Sequence, residues 1–250
     1  MELKQQVALV TGATSGIGIA IAQRLIHDGF YVVISGRNTE RGAEVAAGLG
    51  ENGCFIRADL TQSGEPQRLV DAVVEQAGRL DVLVNNAAID HINWILETPE
   101  EEIRETFETN TFAAIYCLQA AARAMREAGG GSIINITSRL ASIGVPTMSL
   151  YSASKGAMLA LTKAAAVELA EHDIRVNAVA PGMTRTQMFK DWLASQPDPE
   201  ATERNVSSAI PLGRVALPED VAGAVAYFAD PRNSYVTGTS LPVDGGYLAK

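Results

Sequence analysis

The chain is predicted to fold as an α/β protein, a doubly wound parallel sheet of about seven strands with helices on both faces. Three observations predict it. Short apolar runs of strand character alternate with helical stretches along the whole chain, the pattern that covers a parallel sheet on both sides. The first of these runs leads directly into a glycine-rich turn and then a helical pattern. With 250 residues, 47% apolar and 20% charged, the chain can bury one large core.

The elements follow in order. Strand-like runs fall near 6–11, 30–35, 53–58, 81–85, 131–137, 174–179 and 239–243. Helical patterns fall near 16–28, 39–49, 65–78, 99–128, 150–171 and 218–229. No repeat, low-complexity tract or linker divides them, so residues 1–250 read as one domain. The longest irregular region, 181–211, carries Met183, Met188, Phe189, Trp192 and Leu193 among polar residues, interrupted by Pro197 and Pro199. Apolar residues on a long insertion after a strand predict a substrate lid; the alternative is a surface excursion packed on its own domain.

Composition removes several function classes. A net charge of −9 with scattered basic residues argues against nucleic acid or anionic membrane as a partner. Cys54 and Cys117 have no motif spacing, which fits a reducing compartment, and His27, His91 and His172 form no metal-ligand pattern. Met1 to Gln6 is polar and no apolar run approaches the ~18 residues of a membrane span. The expectation is a cytoplasmic protein.

The glycine-rich turn reads Gly12-Ala13-Thr14-Ser15-Gly16-Ile17-Gly18 between the strand 6–11 and the helix that follows. A helix N-terminus offers bare N–H groups and a positive dipole end to a phosphate. Glycines serve where a side chain would collide with a pyrophosphate or the backbone must take positive φ.

A second signal lies at Tyr151-Ser-Ala-Ser-Lys155, with Ser138 thirteen residues upstream. Residues i and i+4 share a helix face, so a cation one turn away is expected to move the phenol from ~10 towards working range. Ser138 closes a strand and should emerge at the carboxyl edge of the sheet, where ligands bind. The helix is apolar on two stripes, Ala153, Ala157, Ala160, Ala164 and Val167 on one, Met158, Leu161, Ala165 and Leu169 on the other. The preceding helical run is similar through Ala113, Ala114, Ala120, Ala121 and Ala124. So many apolar faces predict subunit pairing; the alternative is a helix buried deep in its own domain.

Gly12-x3-Gly16-x-Gly18, Asn85-Asn-Ala87, Asn110, Ser138, Tyr151-x3-Lys155, Pro181-Gly182 and Asp244-Gly-Gly246 stand in order over essentially the whole chain. In this the chain resembles the short-chain dehydrogenase/reductase family, in its compact single-domain branch. One departure is Ala88, where the family usually has a glycine. The resemblance implies a Rossmann-type fold, a homotetramer, and catalysis by Asn110, Ser138, Tyr151 and Lys155. Tyr151 would exchange the proton, Ser138 would hold the substrate oxygen, Lys155 would also bind the nicotinamide ribose, and Asn110 would hold a water linking Lys155 to solvent.

The resemblance also implies a nicotinamide cofactor, held by Gly12, Thr14, Ser15, Gly16, Ile17, Gly18, Asp59, Leu60, Asn86, Ala87, Tyr151, Lys155, Pro181, Gly182, Met183 and Thr184. After the second strand the residues are Gly36-Arg37-Asn38. An acid at the Gly36 position would suit NAD(H), whereas a guanidinium suits the 2′-phosphate; NADP(H) is therefore favoured, with Arg37 and Asn38 at the phosphate. His91, Trp94, Arg139, Met148, Gln187 and Trp192 are candidates for the crevice mouth. Arg139 could recognise a carboxylate or polyol or form a solvent-facing salt bridge, and His91 suits a structural loop role. The function expected is reduction of a small-molecule carbonyl or oxidation of an alcohol. The rivals are a 3-oxoacyl-[acyl-carrier-protein] reductase, for which Ser132 and His172 replace the expected basic residues, and an NADP(H) sensor without turnover.

Overall fold

The structure, a computed structural model, describes residues 5–250. Seven strands, β1 (Val7–Thr11), β2 (Tyr31–Gly36), β3 (Gly53–Arg57), β4 (Val82–Asn85), β5 (Gly131–Ile136), β6 (Ile174–Pro181) and β7 (Ser240–Val243), form one parallel sheet ordered β3-β2-β1-β4-β5-β6-β7. The central strands are mostly apolar because both faces are covered: β1 is buried throughout. Helices α1 (Gly16–His27), α2 (Thr39–Leu49) and α9 (Pro218–Ala229) pack on one face around Ile21, Leu25, Ile34 and Phe228. On the other, α3 (Glu65–Ala77), α5 (Ala113–Ala128) and α6 (Ser149–Leu169) pack around Leu69, Leu83, Met125 and Ile133. Each such aliphatic side chain contributes about 1.5–3 kcal/mol on burial.

The strand order reverses between β1 and β4, which opens a crevice at their carboxyl ends. Thr11 stitches that gap: its hydroxyl donates to the Val84 carbonyl and accepts from the amides of Asn86 and Ala87.

Three expectations are corrected. The helix expected over 99–128 is α4 (Glu100–Phe107), a π-helical turn (Glu108–Phe112) and α5. The region 181–211 is not irregular, for it forms α7 (Gln187–Ala194), capped by Thr186, and α8 (Pro199–Ser208), capped by Asp198. Pro199 is the first residue of α8, where a missing N–H costs nothing. Both helices close on Phe189, Ile210 and Val215, joined by Met183, Trp192, Leu193 and Tyr247. Finally, Ala113, Ala114, Ala120 and Ala121 are buried within their own chain. The uncovered apolar residues nearby are Phe112 at the end of the π turn, Tyr116 on α5 and Val167, 80% exposed, on α6. Ala153, Ala160 and Ala164 are exposed on that same helix, while Met158 and Ala165 face the core. Among the described residues no helix is long and apolar enough to cross a membrane.

Candidate active site

The loop from Gly12 to Gly18 is shaped by what its glycines lack. Gly12 has φ +62, and a Cβ there would stand 2.6 Å from the Ala87 Cα. A Cβ on Gly18 would stand 2.6 Å from the Ala13 Cα and 2.8 Å from Asn86 Nδ2. Only a bare backbone lets β1, α1 and the Asn86 loop meet so closely. Asn86 Nδ2 donates to the carbonyls of Thr11 and Gly12, holding the turn to the end of β4. Ser15 stands at the N-cap position of α1 without a side-chain bond to its amides, and the first turn has no acidic residue. This cradle fits a dinucleotide: an anion can approach the helix end without meeting a side chain or a like charge.

Around the cradle, Thr14 packs so that its methyl would lie 2.8 Å from a Cβ at Gly36. Ile17 and Leu60 pack at the edges of the two core clusters. Arg37 is exposed, and Asn38 caps α2 by accepting from the Arg41 amide. Asp59 accepts from the amide and hydroxyl of Thr61. Pro181 ends β6; the Gly182 amide donates to the Val243 carbonyl, and a Cβ on Gly182 would stand 2.8 Å from the Asp244 Cα. Met183 joins the cluster under α7, and Thr184 is buried, its hydroxyl donating to the Gly182 carbonyl. These residues from β1, β2, β3, β4 and β6 all lie at the carboxyl edge of the sheet.

Ser138, Tyr151, Lys155 and Asn110 meet beside the same crevice. Ser138 lies just beyond β5, its hydroxyl accepting from the Leu140 amide and near enough to the Tyr151 phenol to favour the phenolate. Lys155 is 2% exposed; its Nζ donates to the Ile136 carbonyl at 2.9 Å and sits 5.6 Å from the centre of the Tyr151 ring. Asn110, 1% exposed, sits in the π turn. Its Oδ1 accepts from the Ile89 amide, and its Nδ2 donates to the Ile89 carbonyl and to Ser154 Oγ. The amide is thus engaged at both ends and does not touch Lys155.

The ionisation of the pair corrects the expectation that Lys155 lowers the Tyr151 pKa. Burial pushes the phenol up to about 12, the Asp90 carboxylate adds to the rise, and the Ser138 hydroxyl opposes it. Burial brings Lys155 down to about 8. The ammonium points to a carbonyl rather than the phenol oxygen, so desolvation outweighs charge attraction.

The candidates for substrate contact scatter. Trp94 is 59% exposed, Met148 is half-buried at the start of α6, Gln187 donates to Asp191, and Trp192 packs on Phe189. His91 Nε2 lies 3.2 Å from Glu105 Oε2, a structural role in its loop. Arg139 does not form a solvent-facing salt bridge; its half-buried guanidinium stacks 4.0 Å above the Tyr247 ring. Sequence reasoning missed Asp90, Ser154 and Tyr247, which carry no motif and gain their places only through folding.

The family model described as enoyl-(acyl carrier protein) reductase matches residues 12–248. Among named relatives, L-2,3-butanediol dehydrogenase of Corynebacterium glutamicum is 38% identical, with 97% of this chain and 98% of that protein covered. The 3alpha-hydroxysteroid dehydrogenase of Mediterraneibacter gnavus is 39% identical, with 98% of each covered. The solved structure of ElxO with NADP bound superposes with a TM-score of 0.92 at 32% identity, covering 98% of this chain and 100% of that one. The chain belongs to the short-chain dehydrogenase/reductase family. It is an oxidoreductase of alcohol and carbonyl groups.

Proposed function

We propose that the protein is an NADP(H)-dependent carbonyl reductase or secondary-alcohol dehydrogenase that works through Asn110, Ser138, Tyr151 and Lys155. The observation that carries this reading is the meeting of Ser138, Tyr151 and the buried Lys155, whose ammonium lies 5.6 Å from the Tyr151 ring, at the carboxyl edge of the sheet. The nicotinamide, when bound, supplies or accepts the hydride at the substrate carbon. Ser138 holds the substrate oxygen and stabilises charge developing there. Tyr151, protonated with its pKa near 12, donates a proton to that oxygen in reduction. In oxidation it must lose its proton, which burial opposes and the Ser138 hydroxyl favours, while Lys155 stands one helical turn away as the nearest cation. Asn110 locks the Ile89 loop to the helix that bears Tyr151.

Arg37, exposed after β2 beside Gly36, supports NADP(H) over NAD(H), because no acid stands there to repel a phosphate. The segment 181–211 supports a lid: it leads off β6 at the crevice, and Gly16 packs against Thr186 at its base. A cytoplasmic homotetramer fits the exposed Ala153, Ala160, Ala164 and Val167. A charge there, as in Ala164→Glu, should break assembly, seen by sedimentation as a shift to monomer; a wild-type monomer at micromolar concentration would sink the claim. Against a 3-oxoacyl-[acyl-carrier-protein] reductase stands Ser132, buried and donating to the Phe228 carbonyl, which offers no basic surface to an acidic carrier. The direct test is turnover of ketones, sugars and sterols with each cofactor. Activity with NADP(H) above NAD(H) is expected, and the reverse preference would remove the cofactor reading.

A further inference from the structure

Loop 88–94, between β4 and α4, is fastened on both sides of one unpaired acid. On the near side, the Ile89 amide and carbonyl are both held by Asn110 at 2.8 Å. Asn110 in turn holds Ser154, whose hydroxyl donates to the Tyr151 carbonyl at 2.8 Å. On the far side, His91 lies on Glu105, Asn93 Nδ2 donates to Glu102, and the Asn93 amide donates to the Thr147 carbonyl. Between these anchors, no other described residue donates a hydrogen bond to the half-buried Asp90; its own amide and His91 are the groups that act on its carboxylate. That carboxylate is close enough for its charge to act on the Tyr151 phenol. A half-buried acceptor with no partner in the described chain, on a loop fastened through Asn110 and Ser154 to the helix that bears Tyr151, is free to take a donor from outside the chain.

We propose that Asp90 is a specificity-determining residue that accepts a hydrogen bond from a donor group on the carbon next to the reacting one. The substrates are then vicinal diols and α-hydroxy ketones, or the corresponding amino alcohols. This rests on the reading of Tyr151 as the proton-exchanging group. A site built to pair a substrate donor rejects the analogue that lacks it, because its own buried acceptor is left alone. Recognition also feeds the chemistry: a donor seated on Asp90 disperses the negative charge that holds the phenol high, and so eases formation of the phenolate that oxidation requires.

The test is oxidation of butane-2,3-diol, butan-2-ol and 3-aminobutan-2-ol with NADP+ by the full-length protein and two variants. In the unmutated enzyme the diol or the amino alcohol should exceed butan-2-ol in kcat/KM by on the order of 10- to 100-fold. Asp90→Ala should bring that ratio towards one, mainly through KM, without changing the Kd for NADP+. Asp90→Asn keeps an acceptor without charge, so it should retain part of the preference for the diol and lose that for the amino alcohol; whichever of the two falls furthest identifies the donor. The groups facing the phenol are Asp90, Ser138 and Lys155, and His91 faces Asp90. Removing the carboxylate charge leaves Ser138 and Lys155 in place, so both variants should move the pH profile of oxidation to lower pH. Equal effects of both variants on diol, amino alcohol and butan-2-ol, with an unmoved pH profile, would overturn the proposal. Absence of turnover of every alcohol and ketone would overturn the underlying reading of Tyr151 and this one with it.

Discussion

The two sides of the crevice are built on opposite principles. On the β1–β2 side the working surface is bare backbone, and Gly12, Gly18 and Gly36 matter for the atoms they lack. On the β5–α6 side the working surface is side chain, and Tyr151 and Lys155 matter because burial displaces their ionisation in opposite directions. The first side should therefore fail by volume and the second by chemistry at constant volume. One methyl is decisive in one place, one hydroxyl in the other.

Tyr151→Phe is the strongest way to break the contrast. It conserves the ring, so NADP(H) affinity and thermal stability should hold while kcat falls at least about 100-fold. Retention of more than about a tenth of kcat would show that the phenol does not carry the proton. Gly12→Ala is the converse. At φ +62 an alanine costs about 1–2 kcal/mol, and displacing the Ala87 backbone costs about 1–3 kcal/mol more. Calorimetry should show stability and cofactor affinity falling together, and an unchanged melting temperature would contradict the close approach. Arg37→Ala sharpens the comparison by testing the one charge proposed on the backbone side. It should weaken NADP(H) by about 1.5–3 kcal/mol and leave NAD(H) nearly unchanged; equal losses would refute the phosphate role.

The smallest effect belongs to a buried group outside the site. Burial pushes the Cys117 thiol up to about 12. A folded pKa above the unfolded one means stability is whole below about pH 9 and is lost as pH rises towards 12, by up to about 1.4 kcal/mol per pH unit. Denaturation at pH 8 and 10.5 should show a shallower loss for Cys117→Ala, and identical slopes would contradict a neutral buried thiol.

Much of this architecture was legible in the sequence because it rests on local, covalent spacing. Gly12, Gly16 and Gly18 cannot be read apart from the strand before them, and Tyr151 with Lys155 needs only one helical turn. What was not legible depends on balances that spacing does not express. Thr109, Asn110 and Thr111 in the π turn, Glu108–Phe112, are poor helix formers, but low propensity does not say how a helix is interrupted, and the break shows only where Asn110 reaches Ile89. Helices α7 and α8 were masked by Pro197 and Pro199, although Pro199 starts one of them. Proximity of Tyr151 and Lys155 was right in sequence, yet the ionisation they adopt follows from how deeply each is buried. Arg139 found a ring, Tyr247, at the far end of the chain.

The π turn has a consequence for how this chain can change length. A π turn accommodates one residue more than a regular helix in the same span. Here that extra residue lets α4 and α5 each keep their own buried faces, Thr106 on one and Ala113, Ala120 and Ala121 on the other. A one-residue deletion within 108–112 would let the helix run on regularly without rotating either face off the core. It would remove the grip of Asn110 on Ile89 and so free the loop that carries Asp90. Length variation at this point separates foldability from selectivity: a shortened descendant could keep its sheet, its core and its glycine cradle while losing its hold on what it accepts.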